Sequence, residues 1–73
     1  MNNKEKKLRE LKAIKNSYNT IITNMDTLIS TLLDVYADFD CKEELNKLVN
    51  MAQDFHNSAV TESNNIIIKM LDL

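Results

Sequence analysis

The chain has 73 residues, 44% hydrophobic and 27% charged, with no glycine, proline or tryptophan, one cysteine and one histidine. A core built from so short a chain rarely contributes more than about 3–5 kcal/mol by itself. Cys41 alone excludes an internal disulfide framework, and one Cys with one His cannot form a structural zinc site, so the external support still open to the fold is a partner chain.

The net charge of −2 is small but unevenly placed. Residues 1–15 carry Lys4, Lys6, Lys7, Arg9, Lys12 and Lys15 against Glu5 and Glu10, a balance of +4. Residues 34–44 carry Asp34, Asp38, Asp40, Glu43 and Glu44 against Lys42, a balance of −4. The N-terminal residues lack the apolar stretch and cleavage site of a secretory signal. The longest aliphatic run, Ile66–Ile68, is far short of the ~20 residues that span a bilayer, so a cytoplasmic location is expected with no membrane partner. Asn, Ile and Lys make up 25 of the 73 residues, a usage typical of AT-rich genomes that points to a low-GC bacterium, its phages or a mobile element.

In chain order, the first element is a long helix. Asn2 followed by Glu5 fits a capping box at its start. From Leu11 onward apolar residues recur in steps of three and four. Taking Leu11 as position a of a heptad, track a reads Leu11, Tyr18, Met25, Leu32, Phe39, and track d reads Ile14, Ile21, Leu28, Val35. Ile22, Ile29 and Tyr36 add a neighbouring track e, a stripe wider than a two-stranded seam and suited to a helix with more than one neighbour. Helix 1 is predicted over about residues 3–38, a turn at about 38–40, and helix 2 over about 41–72, with Asp40 and Glu43 as a second capping box. Helix 2 begins on Cys41, Leu45, Leu48, Ala52, Phe55 and Ala59 and then drifts to Ser63, Ile66, Ile67 and Met70. Two breaks compete with this reading. One lies at Asn16–Thr20 and the other at Asn57–Asn65, where Asn, Ser and Thr compete for backbone hydrogen bonds.

The expected fold is all-α: an antiparallel two-helix hairpin, one domain over 1–73, that dimerises into a four-helix bundle. Two helices alone leave much of the stripe in water, and such bands usually mark interfaces. The expected dimer interface is Ile22, Ile29, Tyr36, Leu28, Leu32, Phe55 and Ala59, with Ala52, Ser58 and Ala59 allowing close backbone approach. An antiparallel dimer sets each basic end beside an acidic turn, an effect of modest size because exposed pairs contribute about 0–1 kcal/mol.

No catalytic motif is present: a chain without glycine supplies neither a phosphate loop nor a nucleophile elbow, so neither an enzyme nor a cofactor is expected. His56 reads as a half-buried flank residue and Cys41 as a small residue in the first turn of helix 2. Asp38, Asp40, Glu43 and Glu44 lack the loop glycine and ligand spacing of a calcium site. The distinctive feature is a polar waist poor in charge. Asp26 is the only charge between Lys15 and Asp34, and Glu62 the only one between Asp54 and Lys69. Interface cores are depleted in charge. The leading expectation is therefore a small regulator, adaptor or inhibitor that binds a larger protein through Asn19, Thr23, Asn57 and Thr61, with Lys6, Lys7 and Arg9 as a second surface. The layout resembles that of ROP-type bundles, which implies the main alternative, a regulator binding nucleic acid through its basic N-terminal ends. A further alternative is a subunit of a hetero-oligomeric coiled coil, with track e facing another protein.

Overall fold

The computed structural model describes residues 2–73. Helix α1 spans Asn3–Val35, a 3-10 turn covers Tyr36–Asp38, and helix α2 spans Lys42–Leu71. The helices pack against each other as an antiparallel hairpin, a rod of 57 × 15 × 13 Å. Among the described residues no helix is long and apolar enough to cross a membrane.

The start of α1 follows the capping expectation: Asn2 Oδ1 accepts a hydrogen bond from the Glu5 backbone N–H at 2.7 Å. Its end differs, because α-helical hydrogen bonding stops at Val35 and the chain tightens into the 3-10 turn before the extended Phe39. The start of α2 differs as well. Cys41, not Asp40, is the N-cap, and it makes no side-chain capping bond; Asp40 instead accepts from the Lys42 N–H through its backbone oxygen. Glu43 and Glu44 in the first turn still complement the helix dipole. Tyr36 ties the turn to α2, accepting a hydrogen bond from Asn46 Nδ2 at 3.2 Å, while the Lys42 ammonium lies 5.2 Å from its ring centre.

Neither of the competing breaks occurs. Both helices run through their Asn/Ser/Thr-rich stretches. The hydroxyls of Ser17, Thr20, Thr23, Thr27, Thr31 and Thr61 each donate to the carbonyl four residues earlier, so the groups that compete with helical bonding are satisfied inside the helix.

The seam between the helices follows unbroken heptads. On α2 the enclosed positions are Leu45, Val49, Ala52, His56, Ala59, Ser63, Ile66 and Met70, with His56 and Met70 half-buried and the others buried. The expected phase slip near Ala59 is absent, because the seam uses Val49 and His56 where hydrophobicity alone selects Leu48 and Phe55. On α1 the seam is formed by tracks a and e: Leu11 is buried, and Tyr18, Ile22, Met25, Ile29, Leu32 and Tyr36 are half-buried. Among the described residues the thin rod encloses no side chain fully, and the best-shielded of them, Leu45 and Ala59, keep 4% exposure.

Small residues on α2 permit this close seam, which makes Ala59 sensitive to added volume. Ala59→Leu is expected to destabilise the fold by about 1–3 kcal/mol, the usual range for overpacking, in urea unfolding followed by circular dichroism. Leu71→Ala, at a position 81% exposed, should change stability by less than about 0.5 kcal/mol.

Candidate interaction surface

The middle of one edge of the hairpin is polar, with Leu33 beyond it on the same row of α1 as Asn19 and Asp26, and two side-chain pairs bridge the helices there. His56 Nε2 lies 2.9 Å from Asp26 Oδ1, and His56 Nδ1 lies 3.4 Å from Asn57 Oδ1. Seven residues nearer the start of α1, the Ser63 hydroxyl donates to Asn19 Oδ1 at 3.2 Å. Ser63 is a buried polar residue, and among the described residues no buried side-chain N or O is left without a partner. These contacts lay the polar stretches of α1 and α2 alongside each other as the waist expectation requires.

The predicted waist residues Asn19, Thr23, Asn57 and Thr61 are all exposed. Much of their hydrogen-bonding capacity is used locally. Asn19 holds Ser63, and the Thr23 and Thr61 hydroxyls donate to the carbonyls of Asn19 and Asn57 at 3.1 Å. What the threonines offer outward is a methyl group and an acceptor lone pair, a surface that packs more readily than it bonds.

Lys6, Lys7 and Arg9 are exposed on the first turns of α1, about 50 Å along the rod from the acidic turn at 1.5 Å per residue. Arg9 and Lys12 line a shallow depression with Glu5 and Leu8, and Lys7 shares another with Leu11, with Lys69 of α2 and with Asp72 and Leu73 just beyond it. Cys41 is free and exposed, and among the described residues no three His, Cys, Asp or Glu side chains gather closely enough to hold a metal ion.

The opposite edge is apolar. The expected dimer-interface residues divide between the seam and this edge. Ile22, Ile29, Leu32 and Tyr36 are half-buried and Ala59 is buried within the hairpin, whereas Leu28 and Phe55 are exposed. Track d, not track e, is the row of α1 turned away from α2, because a seam built on tracks a and e uses up the latter. Ile14 is 45% exposed and Leu28 37%, with Ile21 between them half-buried. On α2, Leu48 is 46% exposed and Phe55 54%. Ile21 and Phe55 line a common depression with Tyr18, Ser58, Ala59 and Glu62, which joins the two rows into one face. Its α1 row was legible as a strict seven-residue repeat. What periodicity could not show is that the repeat stays outside the seam.

No family model, curated protein sequence or solved structure matches this chain.

The inter-helix polar pairs are expected to be energetically coupled. A double-mutant cycle of Asn19→Ala and Ser63→Ala, read by urea unfolding, should return a coupling of about 0.5–1.5 kcal/mol, the net value of an ordinary hydrogen bond. Additive single effects would show that the contact contributes nothing to holding the register.

Proposed function

We propose that the protein is a small non-enzymatic interaction module, in which a second copy completes a four-helix bundle and the polar edge of that bundle binds a larger protein. The observation that carries this reading is the uncovered apolar face built from Ile14, Ile21 and Leu28 with Leu48 and Phe55. Apolar side chains grouped on one face of so small a chain mark an interface. The exposed area agrees in size. The hairpin exposes 5507 Å², against about 4,600 Å² expected of a folded monomer of 8.4 kDa, an excess close to the roughly 800 Å² that each partner buries in a standard interface.

The polar edge supports the second half of the reading. It is poor in charge, its hydroxyls are already bonded within their helices, and its Asp26 and Asn19 are held by side chains of α2. A surface arranged in advance loses little conformational freedom on binding. A cytoplasmic setting fits such a regulator, adaptor or inhibitor.

Sedimentation equilibrium tests the dimer: the expected mass is twice 8.4 kDa, and Ile14→Asp with Leu28→Asp should yield a monomer of reduced helicity. A wild-type monomer would overturn the bundle. Mobility-shift titrations with RNA and DNA at two salt concentrations test the class of partner, with no shift expected. Salt-sensitive binding lost on Lys6→Glu and Lys7→Glu would replace the protein partner with nucleic acid.

A further inference from the structure

We infer that the two hairpins of the bundle lie with their turns at opposite ends, on a two-fold axis that passes beside Ile21 and stacks α1 on α1 of the second copy. The arrangement presupposes the dimer proposed above and adds to it an orientation and a pairing.

The outer row of α1 is symmetric about its centre. Ile21 lies halfway between Asn3, the first residue of α1, and Phe39 in the turn, with Ile14 and Leu28 seven residues to either side. A two-fold axis across the rod at this level sets Ile21 on Ile21 and Ile14 on Leu28 of the second copy, while Val35, the last residue of the row, comes to the level of Lys7. The depression that Ile21 and Phe55 line lies at the same level, near the middle of both helices, and gives the facing side chains room to interlock.

Charge selects this orientation over the one with turns together. The +4 and −4 segments lie at opposite ends of a 57 Å rod, many times the screening length of about 8 Å at physiological ionic strength, so they cannot attract each other within one molecule. Symmetry about Ile21 brings Lys4 to the level of Asp38, and Lys7 and Leu8 to the level of Val35 and Asp34, of the second copy. With turns together, each acidic turn would meet its own like.

The macrodipole of α1 is served by this stacking but does not select it, because either orientation sets α1 antiparallel to the helix it faces. Cations crowd its first turns, its last turn holds Asp34 and no base, and each placement opposes the partial charge of its own helix end. When α1 stacks antiparallel on its copy, the cations come to the C-terminal end of the neighbouring helix and the acids to its N-terminal end. Both then meet a partial charge of the favourable sign.

Cysteine cross-linking in a Cys41→Ser background tests the arrangement. Ile21→Cys is expected to give a disulfide-linked dimer under mild oxidation, with helicity and solution mass kept, because only this orientation brings the two positions together. With turns together, α1 stacks on α2 of the second copy and the two Ile21 positions fall on diagonal helices, beyond the ~7 Å Cα separation a disulfide can bridge. A dimer lacking the 21–21 bond, but linked when Ile21→Cys and Phe55→Cys chains are mixed, overturns the orientation and leaves the bundle standing. A monomeric mass overturns both. Charge reversal gives a second readout that needs no cysteine at the centre. Chains carrying Lys4→Glu and Lys7→Glu should self-associate several-fold more weakly, and mixing with Asp34→Lys, Asp38→Lys chains should restore association. Failure of that rescue also overturns the proposed orientation.

Discussion

Two helices in contact can hide only one stripe of each from water, and α1 carries apolar residues on three adjacent tracks. Whichever pair of tracks is used in the hairpin, a third is left over. In this chain the seam takes tracks a and e, and the row Ile14, Ile21, Leu28 remains outside it beside Leu48 and Phe55 of α2. Burial of apolar area is the dominant favourable term in folding, so a rod that shields its best-enclosed side chains only to 4% exposure has much of that term still available to association. The small size of the chain and its uncovered face are thus one fact seen twice.

The choice of seam has two physical roots. Ala52, Ala59 and Ser63 give α2 a face of small residues on which another helix can lie close, whereas the neighbouring face presents Leu48 and Phe55. The same face carries the polar pairs. In this register Asn19 meets Ser63 and Asp26 meets His56, while a slide of one heptad would separate both, setting Ser63 at the level of Lys12 in one direction and of Asp26 in the other. An unsatisfied buried polar group costs about 1–3 kcal/mol, so the Asn19–Ser63 pair penalises the slip that leaves the Ser63 hydroxyl facing a lysine. The Asp26–His56 contact is mostly open to solvent on the Asp26 side and contributes less for that reason.

The resulting rod is two-sided, with an apolar edge and a polar edge, and two-ended, with a basic tip and an acidic turn. The ends are too far apart to neutralise one another. Its polar edge is quiet in a chemical sense, since the hydroxyls of Thr23 and Thr61 are turned back onto their own helix and Asn19 is occupied across the seam.

The helical class, the number and approximate length of the helices and the place of the turn were all legible in the sequence, because they rest on local physics: a 3.6-residue period, an Asn2 cap and the absence of glycine and proline. The continuity of both helices through their Ser/Thr-rich stretches was not, since residue propensity does not reveal that the hydroxyls of Ser17, Thr20, Thr23, Thr27, Thr31 and Thr61 find the carbonyl one turn back. Nor did a favourable Asp40–Glu43 spacing ensure a cap, because the chain leaves the turn with Cys41 in that place. The tertiary structure alone decided which tracks form the seam and which edge stays bare. Tracks a with d and a with e are both spaced by three and four, so periodicity cannot choose between them. The choice lies in the partner helix, where one face of α2 carries the small residues Ala52, Ala59 and Ser63 together with the side chains that meet Asn19 and Asp26.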